Sequence, residues 1–152
     1  MDLPPARHAT LVFERRIAAP VARVYAALSD PAERAAWGAP SDTAVMIYDA
    51  ADFREGGQDR FRCGPKDNPN IAGVTRYLEI VPGRRVVSSE EIAMDGQRLC
   101  ASLTTLELWP DGAGARLVST TQVASFIGED MIRGHETGHN GAFDSLVRYL
   151  SR

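Results

Sequence analysis

With 152 residues the chain is about one domain long, and a chain of that size buries roughly 68–70% of its unfolded surface on folding. Its 44% apolar and 24% charged residues are ordinary globular values and exclude a disordered class. The net charge of -3 comes with scattered basic residues (Arg15, Arg16, Arg84, Arg85, Arg98, Arg148) instead of a stripe able to track phosphates, which excludes nucleic acid as the expected partner. No apolar run approaches the roughly 18 residues of a membrane span, and MDLPPARHATLVFERR lacks the apolar centre of a secretory signal, so a cytoplasmic protein with no membrane span is expected. In a reducing compartment Cys63 and Cys100, both inside strand-like runs, read as small buried hydrophobes.

Residues 1–8 read as a loose lead-in to a single domain spanning 1–152. From Ala9 to Ile17 the chain alternates, with Leu11, Phe13 and Arg15 against Thr10, Val12, Glu14 and Arg16, which predicts a strand. Pro20 opens a helix carrying Val21, Val24, Tyr25 and Leu28 at helical spacing. Asp30 and Pro31 start a second short helix that Gly38 ends. Six period-two stretches follow: VMIYDAADF, QDRFRCG, NIAGVTRYLEIV, RRVVSSEEIAM, QRLCASLTTLELW and ARLVSTTQVASF. Turn signals separate them at Gly56-Gly57, Gly64-Pro65 with Asn68-Pro69, Pro82-Gly83, Asp95-Gly96 and Pro110 to Gly114, and short turns imply an antiparallel meander.

The stretch from Gly128 to Arg152 predicts one long helix, because Ile132, His139, Phe143, Leu146 and Leu150 share a stripe. Its second half is aliphatic and aromatic, whereas its first half carries His135, Glu136, Gly138 and His139. Such a helix packs at one end and lines a cavity at the other. The fold class that follows is α+β: a seven-stranded curved antiparallel sheet wrapped around a long C-terminal helix, with two short helices after the first strand, the helix-grip arrangement.

The stretch FERRIAAPVARVYAALSDPAERAAWGAP, with Phe13, Ala19-Pro20, Asp30-Pro31 and Trp37, resembles the opening of the SRPBCC or START-like (Bet v 1-like) superfamily, in its branch similar to activators of the Hsp90 chaperone ATPase. DFREGGQDRFRCGP resembles that branch's paired-glycine hairpin, YLEIVPGRRVV its strand ending in proline, and LWPDGAGARLV its glycine-rich turn before the last strand. His139 departs from the pattern, standing where the branch usually has tryptophan, which implies a more polar cavity. The resemblance implies an apolar-ligand cavity with no conserved catalytic apparatus, and fold alone does not settle function.

HETGH, His135 to His139, matches a zinc-protease helix motif, with two histidines at i and i+4 and Glu136 as base. Zinc catalysis wants a third protein ligand, and no histidine follows His139, so no metal, cofactor or catalytic residue is assigned. His135 and His139 fit better as polar anchors in an apolar pocket. Trp37, Tyr48, Phe61, Tyr77, Phe126 and Met131 are the aromatic and soft residues expected near it, and Gly138 is its small neighbour on the helix. Glu90 and Glu91 are adjacent in a strand, so one faces each side of the sheet; an inward Glu90 near His135 or His139 would form an acid–base pair. Ser102, Thr104, Thr120 and Gln122 alternate with apolar residues as candidate polar contacts.

The expected function is binding of a small apolar or amphipathic molecule between sheet and helix. A cyclase, dehydratase or hydrolase using cavity His and Glu is the alternative. A chaperone-ATPase co-factor is a third, weakened by the absence of any second docking domain, and a homodimer is compatible with each.

Overall fold

The computed structural model describes residues 3–151. The start of the predicted lead-in (1–2) and the last residue of the predicted helix (152) lie outside the described residues. The rest of the lead-in is shorter than expected: β1 (Arg7–Ile17) begins at Arg7, paired in register with Ser125 of the last strand. Arg7 and His8 are exposed, so no burial alternation marks them, and the backbone ladder alone holds them in the strand.

Helix α1 (Val21–Ser29) starts at Pro20, whose carbonyl accepts the Arg23 and Val24 amides, and it buries Val24, Ala27 and Leu28. Helix α2 (Pro31–Trp37) is capped by the Asp30 carboxylate, which accepts the Ala32 amide at 2.9 Å. Trp37 then folds back, its indole Nε1 donating to the Ala27 carbonyl at 2.9 Å, so the two short helices form one unit.

The six further strands are β2 (Ala44–Ala50), β3 (Gln58–Pro65), β4 (Ile71–Val81), β5 (Arg85–Met94), β6 (Gln97–Asp111) and β7 (Gly114–Ser125). They form the predicted antiparallel meander, closed on its far side by β1 in the order β1-β7-β6-β5-β4-β3-β2. Register shifts at Tyr48/Ala50, Tyr77/Glu79 and Ile92/Ala93 place irregularities in the half of the sheet away from β1, where an extra residue bends a strand and increases its twist.

Helix α3 (Glu129–Leu150) follows Gly128, whose φ of 102° lies in the region glycine favours and turns the chain sharply out of β7. It buries Phe143, Leu146 and Leu150, roughly 1.5–3 kcal/mol apiece relative to exposure. It packs along β1 and β7 and touches α2. Arg15 of β1 fixes it from the side, donating to Asp144 Oδ1 at 3.0 Å and Asn140 Oδ1 at 2.9 Å. On another side Gly141 admits the chain after α2, for a Cβ there would stand 2.7 Å from the Pro40 carbonyl oxygen. The α+β helix-grip architecture is therefore the one the sequence predicts.

Gly73 of β4 pairs with Phe61 of β3, and a Cβ at Gly73 would overlap the Phe61 ring. Gly73→Ala is expected to cost about 1–3 kcal/mol, the range for overpacking a filled site. Urea unfolding measures it, and an unchanged midpoint would show that the ring swings aside freely.

Candidate functional site

The strand registers decide which side chains face α3. Leu11, Phe13 and Ile17 of β1 are buried, and the pairing carries their face through Ser119, Thr121 and Val123 of β7 and Ser102, Thr104 and Leu106 of β6. It continues through Ser88, Glu90 and Ile92 of β5, then Thr75 and Tyr77 of β4, Asp59, Phe61 and Cys63 of β3, and Met46 and Tyr48 of β2. Glu90, Ile92, Thr104 and Leu106 lie in the middle of the sheet on this covered side, yet all keep partial solvent exposure. Helix α3 rests on β1, β7 and α2, while the bent half of the sheet carries the same face on through β5 to β2.

A buried polar cluster lies on this face. Asp59, 1% exposed, accepts from Arg34 Nη1 of α2 at 2.5 Å, from the Tyr77 hydroxyl, and from the Asp52 amide at 3.2 Å. The Arg34 guanidinium also lies 4.5 Å from the centre of the Tyr48 ring. Burial is the largest single influence and works against the charge on Arg34, but the bond to Asp59 together with the electrostatic influence of Tyr48, Tyr77 and Asp59 outweighs it and raises the pKa. Burial holds the Tyr48 phenol up at about 12 and raises that of Tyr77 as well, so both are neutral hydrogen-bonding groups. A buried carboxylate is tolerated when paired and fully hydrogen-bonded.

Glu90 lies on the same face, between Thr75 and Ser102. Its one hydrogen bond comes from Thr75 Oγ1 at 3.2 Å, and no cationic side chain pairs with it among the described residues. Burial pushes its pKa up to about 7; the Thr75 bond pulls it down, and the Asp59 charge adds to the rise. On the helix side, His139 stacks on Phe13 (centroids 5.5 Å apart) and His135 stacks on His139 (4.2 Å). Burial drops the His139 pKa to about 3, with His135 adding to the drop, and lowers that of His135, so both rings are neutral near pH 7. His135 Nε2 is buried with no hydrogen-bond partner.

The structure brings together most of the sequence-predicted residues. Tyr48, Phe61, Tyr77, Glu90, His135 and His139 all lie on the covered side, and Glu91 faces out as the alternation requires. Met131, His135 and Gly138 follow one flank of α3 at helical spacing, and open space adjoins Gly138, where a Cβ would meet nothing within 4 Å. Trp37 is placed otherwise: its ring is buried in the core and its indole N–H is spent on α1.

Three expectations are corrected. Gln122 is exposed on the outer face, because the buried residues of β7 are Ala115, Leu117, Ser119, Thr121, Val123 and Ser125; Thr120 shares the outer parity. Phe126 is 40% exposed beyond the end of β7. The Glu–His acid–base pair does not form, since Glu90's one side-chain hydrogen bond comes from Thr75 and none joins it to His135 or His139 among the described residues.

Arg34 and Asp59 were not singled out in the sequence. The signal was an acidic residue at the apolar parity of DRFRC, where Asp59, Phe61 and Cys63 alternate with Arg60 and Arg62. The two histidines have no third ligating side chain beside them, for no group of three or more metal-ligating His, Cys, Asp or Glu occurs among the described residues. Two open depressions lie apart from these clusters. One of about 600 Å³, at the β1–β7–β6 end of the sheet, is lined by His8, Thr10, Ala101, Gln122 and Ala124 of outward parity together with Ala9, Ser102 and Val123, and one of about 450 Å³ lies between the starts of β1 and α3.

These environments set stability against pH. Between an ordinary 4.5 and about 7 the folded chain keeps a proton on Glu90 that the unfolded chain has released, so stability falls as pH rises through that window. Glu90→Gln is expected to remove the fall, up to about 3 kcal/mol at pH 8. His139 works in the opposite sense: between 6.5 and about 3 the unfolded chain takes up a proton that the folded chain refuses, so stability falls as pH drops. His139→Phe is expected to remove that acid loss, roughly 4 kcal/mol by pH 3. Urea unfolding across pH 3–8 checks both, and parallel curves for wild type and variants would contradict them. Asp59→Ala leaves Arg34 buried without its partner and is expected to cost about 3–5 kcal/mol, part of it regained by adding Arg34→Met.

Comparison with known proteins locates this fold. Solved structures of a protein from Rhizobium loti (34% identity, TM-score 0.84, 95% of this chain and 99% of that one) and a protein from Rhizobium leguminosarum (32%, 0.82, 97% of each) are similar along the whole length. DynU16, a protein in the dynemicin biosynthetic locus, shares the fold at 16% identity and TM-score 0.68, over 93% of this chain and 47% of that one. No curated protein matches the sequence. The model of the family described as "Activator of Hsp90 ATPase homolog 1-like protein" matches residues 18–151, from the approach to α1 to the end of α3, and the chain belongs to that family, within the SRPBCC or Bet v 1-like fold.

Proposed function

We propose that the protein binds a small apolar or amphipathic molecule in the hollow between α3 and the concave face of β2–β6. One observation carries this: Glu90, Ile92, Thr104 and Leu106, in the centre of a covered sheet face, remain solvent-accessible. The family and its structural neighbours point the same way, towards a ligand-binding fold. Ile92, Leu106, Met131 and the exposed flank of the His135–His139 stack supply apolar contact. Burial of about 200 Å² of ligand is worth some 5 kcal/mol before ordering costs, enough for micromolar affinity.

Acid–base catalysis is the second reading, favoured by a single observation. Glu90 is held near neutrality, at about 7, where a carboxyl both gives and takes protons. No partner base stands beside it, which makes simple binding the better account.

Native mass spectrometry of the purified protein is expected to show a retained small molecule. Ser88→Phe, which fills the hollow from the sheet side at a position without a hydrogen-bonding duty, is expected to weaken binding at least about tenfold while the fold persists. Absence of any retained or added apolar molecule from wild type, or full binding by the filled variant, would contradict the proposal. Turnover of a bound substrate that Glu90→Gln abolishes would favour the enzymatic reading.

A further inference from the structure

The floor of the proposed hollow is organised around an unpaired carboxyl. The strand registers set Glu90 of β5 directly between Thr75 of β4 and Ser102 of β6, three polar side chains in a row across the concave face. Neighbours paired in this way stand about 4.5–5.5 Å apart at Cβ, within reach of one small ligand group. Thr75 donates to Glu90 Oε2. Ser102 is 8% exposed, and its hydroxyl is buried with no partner at all.

The groups that face Glu90 from the surrounding elements do not compensate it. Asp59 of β3 takes up the Arg34 charge of α2, with the Tyr77 hydroxyl of β4 closing that cluster. Tyr48 of β2, Cys63 of β3 and Cys100 of β6 are neutral at pH 7, burial holding them at about 12, 11 and 11. His135 and His139 of α3 are neutral as well. Arg34 Nη1 is committed to Asp59 and Tyr77, so its charge is already balanced by Asp59, and its Nε and Nη2 are buried without hydrogen-bond partners. Beside that cluster stand a carboxyl with no paired cation among the described residues and a buried, unpartnered hydroxyl.

We infer that the bound molecule carries a basic nitrogen, which pairs as an ammonium group with the Glu90 carboxylate and donates a second hydrogen bond to Ser102 Oγ, its apolar body lying against Ile92 and Leu106. The inference rests on the ligand-binding hollow proposed above and names the chemical class of its occupant. A charge-assisted bond in a poorly solvated site is stronger than a neutral one, which sets an amine above an alcohol of equal length. A ligand carboxylate meets a like charge wherever Glu90 is ionised and gains no ion pair where it is protonated. Any proton held by Glu90 before binding leaves to solvent as the ion pair forms.

Isothermal calorimetry with decylamine, decanol and decanoate tests this on wild type, Glu90→Gln and Ser102→Ala, at pH 6 in two buffers of different ionisation enthalpy. In wild type decylamine is expected to bind at least about tenfold tighter than decanol or decanoate, and to release up to about one proton per molecule bound. Glu90→Gln is expected to remove both the preference and the proton release while still binding decanol, which shows that the hollow is intact. Ser102→Ala is expected to weaken decylamine about threefold and leave decanol unchanged. Equal affinity for amine and alcohol in wild type, or a preference that survives Glu90→Gln, overturns the inference and leaves the hollow standing. Failure of all three compounds to bind wild type overturns the hollow and this inference together.

Discussion

The structure depends on one buried carboxylate. Asp59 is almost wholly removed from water, and such a charge is stable only because Arg34, the Tyr77 hydroxyl and the Asp52 amide converge on it. Those partners come from α2, from β4 and from the loop between β2 and β3, so satisfying one side chain fixes three separate parts of the chain. Phe53 of that loop packs edge-on against Tyr77, and Tyr25 of α1 against Phe53, which extends the same junction into the short helices. The cost of leaving the carboxylate unpaired is what makes the arrangement specific.

With α2 secured at the β3–β4 side and α3 secured along β1 and β7, the sheet is held at two places with a bend between them. The hollow proposed for a ligand lies between those two anchors. Arg15 contributes by holding Asn140 and Asp144 of α3 towards β1, and Tyr149 by donating to Glu33 Oε1 of α2 at 2.8 Å. The helix therefore packs by its second half, through Phe143, Leu146 and Leu150, while its first half is left to face the interior with histidines and glycines.

Inside the hollow, polarity is distributed by pairing. Asp59 is matched and its cluster is closed; Glu90 is unmatched and open. That difference arises from position alone: both are inward-facing acidic residues on neighbouring parts of one sheet, but only Asp59 lies under α2, where an arginine reaches it. The histidine stack on the opposite wall adds flat aromatic surface without charge, because burial keeps both rings neutral.

The sequence by itself determined the elements and their order. Period-two alternation, proline and aspartate at helix entries, glycine at turns and the two-part character of the last helix are local signals, set by backbone geometry within a few residues, and they were enough for the fold class. It also determined that Glu90 and Glu91 face opposite sides, but not which of them faces in. Tertiary structure decided that, because a shift of one residue in strand pairing exchanges the two faces: it turned Glu90 and Ser102 inward and Gln122 outward, although all three sit in equally alternating strings. It alone brought Arg34 to Asp59, residues 25 apart in sequence whose meeting depends on how α2 lies across the sheet. The charge balance of the hollow is a property of that three-dimensional pairing, and no local pattern in the chain encodes it.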